Sequence, residues 1–242
     1  MSKASVKELE RQASSPLQPS TTSGWGIADA AIVGVVGYAA AVLFLLSSMF
    51  VVYSIPSLHS FVRFYQLDGV YLLIGLIAGI LFAGPLVMWF VRRRKFANLA
   101  DSIYWQCSNR TLGWAFLAGV VSGIAYSIAR GMLARRGYIP EPLAYILTFM
   151  VLTGFAQPLA EEIYFRGILF AGLAHKLGDI PSIAAVTILF CVAHPRHWFM
   201  VLPAAVLLGA MRIYTGSVKA CFACHAAYNL SLALFMLPIN IH

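Results

Sequence analysis

Residues Pro142 to Lys176 read PLAYILTFMVLTGFAQPLAEEIYFRGILFAGLAHK. From Pro142 to Ala160 no side chain is charged; then Glu161 and Glu162 stand together, and Arg166 follows one helical turn later. A helix sustained over the whole stretch would measure roughly 52 Å, against a bilayer hydrocarbon core of about 30 Å. It must break or tilt. Pro158 is the expected breaking point, because proline removes a backbone N–H and clashes with the turn before it.

The rest of the chain supports reading this stretch as part of a membrane protein. Of 242 residues, 60% are hydrophobic and 11% charged, and the mean hydropathy is +0.80. Soluble domains carry about a quarter charged residues. Further uncharged runs of spanning length occur at Ala30 to Tyr53, Gly69 to Val91, Thr111 to Ala129 and Ala220 to Ile239. The expected fold is all-α, a multi-pass transmembrane bundle of seven or eight membrane segments with a polar layer inside it. The organisation divides into a polar, disordered tail over 1–25, three scaffold transmembrane helices over 26–140 and a membrane domain over 141–240 that carries the clustered polar residues. The opening residues lack the apolar centre of a cleavable signal peptide.

The net charge of +8 does not point to nucleic acid, because the basic residues fall in short clusters between apolar runs, such as Arg92 to Lys95 and Arg135-Arg136. In a membrane protein such clusters set orientation. With eight segments, Lys3, Lys7, Arg11, Arg92, Arg93, Arg94, Lys95, Arg110 and Arg196 fall on the inner side, and Arg63, Arg135, Arg136, Lys176, Arg212 and Lys219 on the outer. This favours a cytoplasmic N-terminus in an integral membrane protein, placed in the plasma membrane if the cell is bacterial. Arg130 is positioned to snorkel to an interface. Four cysteines, three of them in apolar segments, do not form the framework of a secreted disulfide protein.

Two hairpins follow Pro158. Gly178-Asp179-Ile180-Pro181 turns the chain between Glu161 and His194, which stand about 25 Å and about 20 Å from that turn on its two arms. A second turn at Thr215-Gly216-Ser217 leads into a helix carrying His225 and Asn229. If the hairpins point the same way, two carboxylates, two histidines and an asparagine share one layer. On a helix, Glu162 and Arg166 lie on one face and can pair, while Glu161 is turned about 100° away. Glu161 is therefore the better candidate base, with Glu162 the held charge. Two adjacent glutamates in a bilayer are costly enough to imply a function.

Cys221-Phe222-Ala223-Cys224-His225 matches the C-x-x-C-H haem attachment pattern, but it opens an apolar span, so both cysteines read as packing residues. Zinc is a more serious possibility, because Glu161, His194 and His225 could supply three ligands with water fourth. The chain lacks H-E-x-x-H, and a carboxylate-activated water needs no metal. The expectation is no cofactor, with zinc possible but not favoured.

Taken in order, Glu161-Glu162-x-x-x-Arg166, Phe190-x-x-x-His194 and His225-x-x-x-Asn229 resemble the three signatures of the CAAX protease and bacteriocin-processing family, also called Abi, whose members are glutamate-type intramembrane proteases. The resemblance covers about Pro142 to Leu237. It implies that Glu161, with His194, activates a water for attack on a peptide carbonyl, that His225 and Asn229 stabilise the oxyanion, and that Glu162 and Arg166 support the site. The run Pro195-Arg196-His197 after the second signature is a departure, since His197 competes for the role of its histidine.

The function implied is an endopeptidase acting near the C-terminus or membrane anchor of a lipidated, secreted or membrane precursor. CAAX-tail, peptide-precursor and sorting-tail processing are its versions. Its partners are such a protein or peptide substrate and the lipid bilayer, with no nucleic acid. The alternatives are a non-catalytic membrane scaffold or regulator, a zinc-dependent membrane protease, and a proton-coupled transporter, against which the absence of inverted repeats weighs.

Overall fold

The computed structural model describes residues 24–57, 68–129, 150–194 and 198–236. Among these residues every regular element is helical, as expected. α1 (Ile27–Ser54), α2 (Asp68–Arg93), a single turn α3 (Leu99–Ser102) and α4 (Asn109–Ala129) make the first half. The second half contains π1 (Leu152–Ala156), α5 (Gln157–Glu162), π2 (Ile163–Leu169), α6 (Phe170–Leu177), α7 (Asp179–Val192), α8 (Trp198–Thr215) and α9 (Val218–Met236). α1 and α4 are long and apolar enough to cross a bilayer. Large apolar side chains face outward, among them Val35, Tyr38, Phe50, Trp114 and Val206, so this surface suits hydrocarbon rather than water.

Pro158 does not break the chain. Residues 150–177 form one continuous helix in which two segments, π1 and π2, are wound in the wider π register. The backbone stays right-handed through Ala156 and Gln157. Gln157 N–H bonds Leu152 O, five residues back. Continued by one residue, that register would bring the amide of residue 158 to Thr153 O, and proline has no amide to bring. The π turn moves the ring away from the carbonyls it would strike in an α-helix, so the helix continues past the proline. The expected break was an α-helical argument applied to a π turn.

This continuity moves the loop charges. Asp29 pairs with Arg94 at 2.6 Å, Trp25 Nε1 donates to Ser102 O at 3.0 Å, and Val218 N–H bonds Tyr104 O at 3.1 Å. Gly172 packs on the backbone of Gly26, and Gly167 on Ile103. The start of α1, the end of α2, the starts of α4 and α9 and the end of α6 therefore share one end of the bundle. Lys176 and Lys219 lie at the same end as Arg92 to Lys95, not opposite it. Arg212 is no loop charge at all: it is 1% exposed, within the last turn of α8. For Lys176, Lys219 and Arg212 the eight-segment charge assignment does not hold, because it counted the helix around Pro158 twice. Arg63, Arg130, Arg135, Arg136, Arg196, His197 and residues 1–23 of the tail lie outside the described residues.

Both predicted turns are present. Gly178 (φ 78°) separates α6 from α7 and Gly216 (φ 65°) separates α8 from α9, left-handed positions that glycine occupies without strain. The tightest packing is between α4 and α9. Ala115, Gly119, Gly123 and Ser127 form a buried stripe at every fourth residue of α4. A Cβ at Gly119 would collide with Cys224 O, and one at Gly123 would come within 2.8 Å of Tyr228 O. Small residues at this spacing let two backbones approach, and in a bilayer that close packing supplies the attraction. Cys221 and Cys224 are fully buried packing residues on α9. The other main core gathers Trp25, Phe90, Ile103, Ile168, Phe170 and Val186 around π2.

Candidate active site

The site is built on α5 and π2, with one histidine each from α7's end and α9. The two glutamates diverge as helical spacing requires. The Glu162 side chain is fully buried and accepts from Arg166 Nη1 at 3.0 Å, one turn on. The Glu161 side chain keeps 17% of its surface accessible. Arg166 is also fully buried, with its guanidinium 4.3 Å from the centre of the Phe190 ring. Its Nε and Nη2 make no hydrogen bond among the described residues, and the guanidinium lies against the electron-rich face of the ring.

His225 Nδ1 lies 2.8 Å from Glu162 Oε1 and its Nε2 lies 3.8 Å from Glu161 Oε2. His194 mirrors it: Nδ1 lies 2.8 Å from Phe190 O, and Nε2 lies 3.8 Å from Glu161 Oε1. A carbonyl accepts only, so the His194 proton sits on Nδ1; next to a carboxylate, the same assignment holds for His225. In the neutral rings both Nε2 atoms are then lone-pair acceptors, aimed at opposite oxygens of one carboxylate. The inner surface of the site is thus rich in proton acceptors. Its separations of 3.8 Å are too long for direct hydrogen bonds. They suit a water between the groups.

Asn229 Nδ2 donates to Thr153 O at 2.8 Å, the carbonyl that the π register would otherwise offer to residue 158. A neighbouring helix thus supplies the donor that proline cannot, a common arrangement in membrane helices. This bond to Thr153 O is where the structure places Asn229, with one amide hydrogen committed to it and the second left over.

Glu161, Glu162, Arg166, His194 and His225 are brought together. Gln157 joins them, donating from Nε2 to Glu161 Oε1 at 2.8 Å. Sequence reasoning missed it, although a lone amide one turn before Glu161 in an otherwise apolar run was a visible signal. Arg212 was also missed. Its Nε donates to Arg166 O at 3.0 Å, and its guanidinium lies 4.7 Å and 5.3 Å from the rings of Phe170 and Tyr104. Its distance in sequence from the motifs hid that role. Among the described residues no three His, Cys, Asp or Glu side chains are arranged to hold a metal ion.

Residues 143–231 match the family described as Rce1-like, type II CAAX prenyl endopeptidase Rce1-like. This match supports the resemblance carried by the three motifs, all of which lie within it. No curated protein and no solved structure matches the chain.

Proposed function

From the match over residues 143–231 and the site within it, we propose that this chain is an intramembrane endopeptidase of the CAAX type, hydrolysing a peptide bond near the C-terminus or membrane anchor of a protein or peptide substrate. The observation that carries the reading is the approach of two histidine Nε2 atoms, each at 3.8 Å, to the two oxygens of Glu161.

A water held between the Glu161 carboxylate and the Nε2 lone pair of His194 gives a proton to Glu161 as its oxygen attacks the scissile carbonyl carbon. The carbonyl π pair moves to oxygen. His225, held at Nδ1 by Glu162, stabilises that oxyanion through an Nε2–H donor, and the second amide hydrogen of Asn229 adds to it. On collapse the C–N bond breaks, and the proton held by Glu161 passes to the departing amine. Glu162 and Arg166 act by fixing His225, and Gln157 by fixing Glu161.

The shared end of the bundle supports one reading of the topology. Counted as seven membrane segments, with the helix through Pro158 taken once, the chain carries Lys176, Lys219, Arg110 and Arg92 to Lys95 at the end of the bundle where α1 begins. Lysine and arginine excess marks the cytoplasmic side, so the N-terminus is read as cytoplasmic. In a bacterium the membrane is the plasma membrane.

The test compares protein lengths and C-termini by mass spectrometry in native membranes carrying the wild type or Glu161→Gln at matched expression, with and without a zinc chelator. Truncated products that vanish in the variant and survive chelation support the proposal. Products lost on chelation replace it with a zinc protease, and identical membranes replace it with a scaffold or regulator.

A further inference from the structure

Beside the catalytic face of α9 runs a second feature that the proposed chemistry does not use. A groove of about 510 Å³ lies between α4 and α9, walled by Leu112, Phe116, Phe155, Phe222, Ala226 and Leu230. Its size falls in the range of small-molecule sites, which is about 300–1,000 Å³. On α9 its walls recur at helical spacing from Lys219 to Leu230, next to but not including His225 and Asn229.

The two ends of the groove differ in chemistry. One end holds Lys219 and Asn109. Lys219 makes no salt bridge among the described residues, and the exposed Arg110 follows Asn109. α4 and α9 run parallel, Gly119 meeting Cys224 and Gly123 meeting Tyr228, so both helix N-termini add partial positive charge at this same end. Trp105, stacked on Phe222 at 5.9 Å, stands there too, as aromatic residues do at a bilayer's interface. The other end, at Phe155 and Leu230, is hydrocarbon only. From Lys219 to Leu230 the helix rises about 16 Å, close to half of the roughly 30 Å hydrocarbon core.

We propose that this groove binds one acyl chain of an anionic phospholipid, with the headgroup at Lys219 and Asn109. An anion joined to a tail one leaflet long is what a phospholipid offers, and charge and length both select it. Bound there, the lipid packs against the helix that carries His225 without entering the site.

Gly113 supplies a direct test, because it borders the groove and a Cβ there meets nothing within 4 Å. The full-length protein, delipidated in neutral detergent, is titrated with dioleoylphosphatidylglycerol or dioleoylphosphatidylcholine, and bound lipid is counted by native mass spectrometry. One saturable phosphatidylglycerol per chain is expected, held about fivefold more tightly than phosphatidylcholine. Lys219→Gln should abolish that preference. Gly113→Phe should weaken both lipids by about tenfold with an unchanged melting profile. Equal binding of the two lipids to the wild type overturns the proposal, as does a folded Gly113→Phe protein that binds like the wild type. So does displacement of phosphatidylglycerol by a farnesylated tetrapeptide, which would assign the groove to a substrate tail. Lys219→Gln is a partly exposed change that keeps the test open even if Gly113→Phe does not fold.

Discussion

His225 Nδ1 and Glu162 Oε1 stand 2.8 Å apart, and the same oxygen accepts from Arg166 Nη1 at 3.0 Å. One buried carboxylate oxygen therefore neutralises an arginine and orients a histidine at once. Glu162→Gln should cost about 3–5 kcal/mol of stability, since it leaves Arg166 buried without its counter-charge. Activity should fall with it. Glu162→Gln combined with Arg166→Met should recover much of the stability, because removing both charges is far cheaper than removing one. It should not recover cleavage, because His225 still lacks its anionic partner. Thermal melts and peptide-cleavage rates on the four proteins of this cycle check both halves; recovery of cleavage along with stability would show that the Glu162 charge is not needed to set His225.

Gln157 acts on Glu161 alone, through a hydrogen bond of 2.8 Å to Oε1. Gln157→Leu keeps the size of the side chain and removes the donor. A hydrogen bond to a charged group is worth about 1.5–3 kcal/mol, so kcat should fall by about 10- to 100-fold with KM unchanged. Gln157→Asn, one methylene too short, should not rescue it. A rise in KM at constant kcat would instead make Gln157 a substrate contact.

How far the site could be read in advance depended on geometry. Helical spacing correctly separated Glu161 from Glu162 and paired the latter with Arg166. The turns at Gly178 and Gly216 lie where Gly-Asp and Thr-Gly signals put them, which is why residues as far apart as Glu161, His194 and His225 meet. Pro158 was misjudged because its cost was reckoned in an α-helix, whereas the π turn before it is a tertiary outcome with no simple sequence mark. Arg212 was placed in a loop because a cation near a turn ordinarily reaches water; two aromatic rings and the Arg166 carbonyl hold it inside. The stripe Ala115, Gly119, Gly123, Ser127 was legible, yet the first half was read as plain scaffold.

The bond from Asn229 to Thr153 O couples a motif residue to a proline far away in sequence. Asn229→Leu should destabilise the protein by about 1–2 kcal/mol. In a Pro158→Ala background, where residue 158 again has an amide to give, the same substitution should cost measurably less, with a coupling of at least about 0.5 kcal/mol. Cleavage should remain impaired in both backgrounds if the second amide hydrogen of Asn229 serves the oxyanion. Equal costs in the two backgrounds would show that the Asn229 bond does not stand in for the amide of residue 158.

Gly113 and Gly119 lie on the same helix, six residues apart, and should answer the same substitution with opposite signs. A Cβ at Gly113 meets nothing within 4 Å, so Gly113→Ala gains helix propensity and should stabilise by about 0.5–1 kcal/mol. A Cβ at Gly119 would strike the Cys224 carbonyl and approach the Ala227 side chain to 2.9 Å. Neither neighbour can rotate away, because one is backbone and the other has no rotamer. α4 and α9 must then separate, and Gly119→Ala should lose about 1–3 kcal/mol or more. Because Cys224 immediately precedes His225, the displacement reaches the approach of Nε2 to Glu161, and cleavage should fall further than the loss of folded protein explains. Melting and specific activity of the two variants, normalised to folded protein, measure this directly; a Gly119→Ala enzyme of full specific activity would show that α4 supports the fold without setting the site.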